Sequence, residues 1–501
     1  MARERSGGTT LSHTDMNQGE SLALLTDLYQ LTMAYGYWKT GDLEKEGIFN
    51  LFFRNNPFGG GFTIACGQQQ VIELLENFRF SPSDIDYLGN ITGNNGQPLF
   101  EAGFLEYLAQ IRFTCEVDAV TEGTVVFPFE PILRIKGPMI QCQILETPLL
   151  NILNFQSLVA TKAARICMAA HGDPVMEFGL RRAQGINGAL AASRAAYIGG
   201  CNSTSNVLAG KLYDIPVKGT HAHSWVMSFA DEEEAFRAYA RAMPNNSLFL
   251  VDTYDTIKGI KTAIKIGHEL RQNGYEMAGI RLDSGDLAYL SIQARKLLDE
   301  AGFSKALICA SNDLDEHIIT SLKAQGAQIN LWGVGTRLAT GHNQSALGGI
   351  YKLVAMRKPG QRWQHRIKIS EQKIKTTIPG DLQIYRFICN GEAAGDMIYD
   401  RLQAEPASRL IIDPNDDTRF KHLPENAEVH QLLKPLFLNG KPAAQPANIH
   451  QTREFAKKQL GLFHEGIKRF VNPHTYPVGL DEKLQNLRQK MILEYRRQCD
   501  F

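Results

Sequence analysis

Apolar residues recur along this chain in two rhythms, and the change from one to the other divides it. Leu24, Leu25, Leu28, Leu31 and Tyr35 form the stripe of an amphipathic helix. Asp27, with Gln30 three residues on, predicts a capping box at its start, and Gly41 predicts its end. A strand is predicted over 48–53, running into the turn Asn56-Pro57-Phe58-Gly59-Gly60-Gly61, with further strands over 124–127 and 132–135. From about residue 172 a short apolar run, a polar or glycine-rich turn and a helical stretch repeat in that order. The runs at 174–178, 216–219, 247–251, 277–282, 306–310, 329–334 and 350–354 predict seven βα-like units sharing a parallel sheet. Closure into a barrel is the natural solution for that count, with an open sheet as the alternative. Stretches 363–369 and 382–387 read as strands returning to the N-terminal domain, and charged helices follow from about 450. The expected organisation is a flexible tail (1–20), an α+β domain (21–150), an α/β barrel (151–370), return strands (371–450) and C-terminal helices (451–501).

A chain of 501 residues exceeds a single hydrophobic core, which agrees with several domains. Lys+Arg and Asp+Glu both number 53, so overall charge gives no reason to expect nucleic acid or a membrane surface as partner. The eight cysteines are scattered without a CxxC pair, against a disulfide scaffold or a cysteine zinc site. The polar first 20 residues carry no secretion signal, and no segment approaches the ~20 apolar residues of a membrane helix, so the cytoplasm is the expected compartment.

Chemistry collects where the apolar runs end. The first run ends in Glu177-Phe178-Gly179-Leu180-Arg181-Arg182, the second in Gly219-Thr220-His221-Ala222-His223-Ser224, and the third in Asp252-Thr253-Tyr254-Asp255. The fourth ends in Arg281-Leu282-Asp283-Ser284-Gly285-Asp286 and the sixth in Gly333-Val334-Gly335-Thr336-Arg337, while Gly348-Gly349 precedes the seventh. The C-terminal ends of barrel strands converge on one mouth. Arginines, carboxylates, histidines and exposed glycine amides gathered there suit a polyphosphate ligand with a metal ion. Each element alone has a plainer reading: glycine pairs make turns, Asp283 and Asp286 cap a helix, and arginines decorate a solvated loop. Alternation places His221 and His223 on one strand face, the spacing of a metal pair.

In their joint order, several strings make the chain resemble the nicotinate phosphoribosyltransferases, of the type II phosphoribosyltransferase family. They are TDLYQLTMAYGYW from Thr26, FFRNNPFGGGF from Phe52, EFGLRRAQG from Glu177, TSNVLAG from Thr204 and GTHAHSWVMSF from Gly219. LVDTYDT from Leu250, RLDSGDL from Arg281, WGVGTRL from Trp332 and LGGIYKLV from Leu347 complete the set, which spans roughly 22–390. The resemblance implies an irregular (β/α) barrel beside the N-terminal α+β domain, and a homodimer with shared active sites. It implies an ATP-coupled, ligase-like pentosyl transfer: nicotinate, phosphoribosyl diphosphate and ATP, with Mg2+, give nicotinate mononucleotide in NAD salvage. On matching positions, Phe178 and Arg281 would sandwich the pyridine ring and Arg181 would bind phosphate. Asp283 would serve the ribose and Mg2+, and Gly333, Gly335, Gly348 and Gly349, with Arg337 nearby, would receive the 5′-phosphate. His223 would accept the γ-phosphate of ATP as a phosphohistidine, Ser205 would select the acid over the amide, and Tyr29 would come from the partner subunit. The turn Gly200-Cys201-Asn202-Ser203 departs from the family's usual glycine-rich pattern before Ser205, and His221 stands where other residues are common. Two other readings fit a barrel: a metal-dependent amidohydrolase using the His-x-His strand, and a non-catalytic nucleotide binder.

Overall fold

The computed structural model describes residues 21–499. The expected tail, 1–20, lies outside them. The helix predicted first spans Leu28–Lys39, and Gly41, at φ +72°, turns the chain away from it. The predicted capping box does not form. Asp27 is the N-cap residue, but its carboxylate accepts the Thr147 hydroxyl at 2.8 Å instead of a helix amide. The tertiary partner wins because it anchors this helix to the one that leads into the second domain, Glu146–Ala169. Leu31 and Ala34 are buried, whereas Leu25, Leu28 and Tyr29 stay about half exposed.

The N-terminal domain is built on a seven-stranded sheet, in the order Gln364–His365, Ile350–Arg357, Glu46–Phe52, Leu133–Pro138, Glu116–Val120, Leu433–Leu438, Lys441–Pro442. Every pairing in it is antiparallel. Distant segments therefore complete a domain begun before residue 140. The run at 350–354, read as a seventh barrel strand, belongs here, paired with Glu46–Phe52. Its composition explains the placement. Tyr351, Val354 and Ala355 face the core while Lys352 and Arg357 stay partly solvated, and a two-faced strand suits an antiparallel sheet better than the doubly covered parallel one. Tyr351 seals the contact by stacking on Phe49, with ring centroids 4.9 Å apart.

Leu382–Cys389 does not return to this sheet. It joins a separate six-stranded sheet with Glu392–Asp400, Glu428–Gln431, Val478–Leu480, Leu410–Asp413 and Asp416–His422. The charged C-terminal region supplies helices Ile449–Gly461 and Glu482–Cys499.

The parallel sheet has six strands, in the order Ser203–Thr204, Val175–Glu177, Leu331–Val334, Leu307–Ala310, Gly279–Leu282, Leu248–Leu250. They are only two to four residues long and almost wholly buried, as expected of strands covered by helices on the outside. The predicted strand at 216–219 reduces to a single bridge between Val217 and Thr204. Between that segment and Leu248–Leu250 the ladder stops, so among the described residues backbone bonds do not close the sheet. A side chain spans the gap: the Leu250 N–H donates to His221 Nε2 at 3.3 Å.

Candidate active site

Just past the C-terminal ends of the six parallel strands stand Ser205, Phe178, Gly335, Ser311, Asp283 and Asp252. Most of them line one cavity of about 430 Å³, joined there by Arg181, Arg281 and Gly333. Larger cavities exist elsewhere, but this is where the strand-end chemistry converges.

Arg281 is the best-anchored cation in the mouth. Its Nε donates to Ser311 Oγ at 2.8 Å, Nη1 to Thr220 Oγ1 at 3.1 Å and Nη2 to Asp283 Oδ1 at 3.2 Å. Three oxygens thus fix the guanidinium plane, with its centre 5.5 Å from the Phe178 ring centroid, within cation–π range. Phe178 is held from both sides. Buried Glu177 accepts the Gly179 amide together with the Ser193 and Thr204 hydroxyls, which locks the strand-end turn. A Cβ on Gly333 would sit 2.7 Å from the ring, so only glycine lets Phe178 lie there. A third ring between Phe178 and Arg281 needs about 7 Å, two ordinary carbon contacts, so Phe178 has to shift to admit one.

Asp283 accepts the Ser311 hydroxyl and the Arg281 guanidinium. Burial raises its pKa, but those two partners outweigh it and hold the carboxyl below its ordinary range. The Asp283 amide and the Ser284 hydroxyl both donate to Asp252 Oδ2, at 2.8 and 2.7 Å. The other Asp252 oxygen is buried without a hydrogen-bond partner and lies 3.9 Å from His223 Nε2. Asp283 Oδ2 is equally distant from that nitrogen. His223 opens the short helix His223–Met227, with Nδ1 hydrogen-bonded to Thr253 Oγ1 at 3.1 Å, which leaves Nε2 as the free nitrogen.

His221 and His223 do not share a strand face, because residues 219–222 are not a strand and the chain turns into a helix at Ala222. The His221 ring packs edge-on against Tyr239 at 4.8 Å and accepts the Leu250 amide. Burial pushes its pKa down to about 4. It is therefore a neutral acceptor bridging the sheet edges, and the two rings serve different neighbours, so no metal pair forms from them.

The structure brings together Phe178, Arg181, Ser205, Arg281, Asp283, Gly333 and Gly335, with His223 at the rim through Asp283. Arg181 and Arg182, on the turn Leu180–Arg182, have no ion pair among the described residues. Other expected residues stand apart. Arg337 pairs with Asp315. The Gly349 amide donates to Asn154 Oδ1 at 2.8 Å, and Gly348 beside it does not line the cavity. Tyr29 lies on the N-terminal domain's first helix. Glu177, Asp252 and Ser311 take parts that the sequence alone does not assign, although Glu177 and Asp252 sit inside the strings EFGLRRAQG and LVDTYDT.

Among the described residues no cluster of three or more His, Cys, Asp or Glu side chains could cage a metal. The unpartnered Asp252 oxygen beside Asp283 fits a different arrangement, in which Mg2+ is held mainly by substrate phosphates and water with one or two carboxylates.

An α/β enzyme with an anion-attracting mouth at its strand ends is what this geometry defines. The nicotinate phosphoribosyltransferase N-terminal domain matches residues 24–154, the nicotinate phosphoribosyltransferase family matches 174–402, and its C-terminal domain matches 382–488. The chain is 43% identical to a nicotinate phosphoribosyltransferase of Bacillus subtilis, over 96% of this chain and 97% of that one. It is 38% identical to one from Caenorhabditis elegans, covering 96% and 95%. Its structure superposes on the crystal structure of human nicotinic acid phosphoribosyltransferase with a TM-score of 0.80, at 31% identity, covering 93% of this chain and 99% of that one. The chain belongs to the nicotinate phosphoribosyltransferase family.

Proposed function

We propose that this enzyme converts nicotinate, phosphoribosyl diphosphate and ATP to nicotinate mononucleotide, diphosphate, ADP and phosphate, a salvage step of NAD biosynthesis carried out in the cytoplasm. The observation that carries the reading is the fixed Arg281 plane facing Phe178, in one cavity with Ser205 and Asp283. Arg281 supplies a stacking surface and a positive charge for a flat carboxylate, and Ser205 supplies a hydroxyl donor. The pyridine nitrogen attacks the anomeric carbon as the bond from that carbon to the diphosphate oxygen breaks. Positive charge grows on the sugar, where ionised Asp283 stabilises it, and negative charge grows on the leaving group, towards the unpaired Arg181 and Arg182. When bound between Asp252, Asp283 and the phosphates, Mg2+ would offset that negative charge.

His223 Nε2 takes the γ-phosphoryl group of ATP, forming the N–P bond as the bond to ADP breaks, and water later hydrolyses the phosphohistidine. Two carboxylate oxygens 3.9 Å from Nε2 repel an incoming phosphate, which is the physical reason for a cation in this step. The enzyme acts as a homodimer in which Tyr29 of the partner subunit completes each mouth. The half-exposed Leu25, Leu28 and Tyr29 support this reading, because among the described residues nothing covers the apolar face they present.

The deciding assay is nucleotide formation from nicotinate and from nicotinamide, each with and without ATP. Nicotinate with ATP is expected to be fastest. A preference for nicotinamide overturns the acid specificity, and indifference to ATP overturns the coupling.

A further inference from the structure

We propose that a second cavity, about 810 Å³ in volume, binds an organic phosphate with a flat apolar body. It lies at the opposite end of the parallel sheet from the mouth. Its wall includes His171, Gly172 and Asp173, just ahead of Val175–Glu177, and Gly199, Gly200 and Asn202, just ahead of Ser203–Thr204. Those two strands carry Phe178 and Ser205 at their far ends, so the cavities are separate but share two short strands. Helix Ile449–Gly461 and the segment up to Phe470 close the other side.

Size and lining select the ligand. The volume falls in the range of small-molecule sites, roughly 300–1,000 Å³. Cys167, Met168, Ile198, Leu460 and Phe470 give an apolar floor, and Phe470 is braced by the Arg165 guanidinium 5.0 Å from its ring centroid. The acids in the wall are already neutralised: Asp173 pairs with Lys323 at 2.7 Å and Glu465 with Lys468 at 2.6 Å. Carbonyls at the helix ends are covered too. Arg453 donates to Gly200 O at 2.9 Å and to Cys201 O at 3.1 Å. Lys457 and Arg469 remain, lining the cavity with no ion pair among the described residues. Two unpaired cations beside an apolar floor recognise an anion attached to a ring.

Pyridoxal 5′-phosphate is the probe, because its aldehyde condenses with a lysine amine, releasing water, and borohydride reduces the imine to a stable secondary amine. Peptide mapping should find Lys457 labelled at least about fivefold more than Lys458, its neighbour on the same helix but outside the cavity wall. 1-Naphthyl phosphate should suppress that labelling and slow alkylation of Cys167, but not of Cys389, which is also partly exposed and lies outside this cavity. Inorganic phosphate at equal concentration should do neither. Arg469→Ala should cut Lys457 labelling at least about fivefold with transferase activity unchanged. Equal labelling of Lys457 and Lys458 overturns the proposal, as does protection by inorganic phosphate alone or labelling indifferent to Arg469.

Discussion

Arg386–Asp396 in the C-terminal sheet and Arg281–Asp283 at the mouth pair the same residue types in opposite ways. Arg386 and Asp396 face each other across antiparallel strands, almost completely buried, and Arg386 donates from Nε at 3.0 Å and from Nη2 at 2.6 Å to the one carboxylate. Aromatic rings close over the guanidinium, Phe463 at 5.0 Å among them. Arg281 and Asp283 sit two residues apart at a strand end, joined by a single 3.2 Å contact, with side chains 15% and 32% exposed. Each keeps other partners or open space: Arg281 shares itself among three oxygens, and Asp283 turns its second oxygen towards His223. A closed pair fixes the fold, whereas an open pair leaves capacity for a ligand.

Breaking the closed pair should give the largest effect. Arg386→Met strands Asp396 in the core, a loss of about 3–5 kcal/mol for a buried pair. Denaturant unfolding should show it, together with a lower Tm. An unchanged midpoint would mean that the bond Asp396 already accepts from the Tyr476 hydroxyl, at 2.8 Å, is enough to hold the buried carboxylate without the arginine.

The two histidines sharpen the same contrast. His221 is closed in and held neutral, with its pKa pushed from 6.5 to about 4. The unfolded chain takes up this proton near pH 6.5 and the folded chain only near 4, so His221 contributes full stability above 6.5 and loses it as pH falls towards 4. The loss is on the order of 3 kcal/mol. His221→Gln, which still offers an acceptor to Leu250 but does not titrate, should flatten stability against pH across that window and leave labelling by γ-labelled ATP intact. If His221→Gln abolishes labelling and His223→Ala does not, the two roles are exchanged.

The sequence made the ends of the parallel strands readable because arginines, carboxylates and histidines have no place in a buried core; Arg181, His223, Arg281 and Asp283 stood out on that ground, whereas the place of Phe178 against the pyridine ring came only from the family strings. Roles set by tertiary partners did not show. Nothing in the order of residues says that Ser311, 28 positions after Asp283, anchors both it and Arg281, or that Asn154 takes up the Gly349 amide. Ser203–Thr204 is too short to register as a periodic run, and 350–354 joins the antiparallel sheet and not the parallel one, a choice that a short apolar stretch does not reveal. The single bond from the Leu250 amide to the His221 ring, at the edge of the sheet, has no periodic signature at all.

At the open pair, substitution should alter kinetics before stability. Arg281→Lys keeps the charge and loses the plane, so KM for nicotinate should rise about 10-fold more than KM for phosphoribosyl diphosphate, about 1.4 kcal/mol. Equal changes for both substrates would place Arg281 on the diphosphate. Ser205→Asp sets a carboxylate against the nicotinate carboxylate and should lower kcat/KM for nicotinate by about 10-fold. An unaltered value would show that the Cys201-Asn202-Ser203 turn holds this residue away from the ring.

The smallest expected signal comes from mixing chains, and it asks whether the open site is open because a second subunit finishes it. Tyr29 is about half exposed on a helix whose opposite side, at Leu31 and Ala34, is buried. A residue anchored from behind and bare in front is well placed to enter a neighbour's mouth, and a two-fold axis would build two such sites from one interface. Tyr29→Ala and Arg281→Ala should each be nearly inactive alone. After exchange at equal amounts, about half the dimers pair one chain of each kind; in these, one mouth carries both lesions and the other carries neither. One intact mouth in half of the dimers amounts to roughly a quarter of wild-type activity. Exchange proven by mass spectrometry with no recovered activity would assign Tyr29 to its own chain, leaving the apolar face around Leu25 and Leu28 without a role in catalysis.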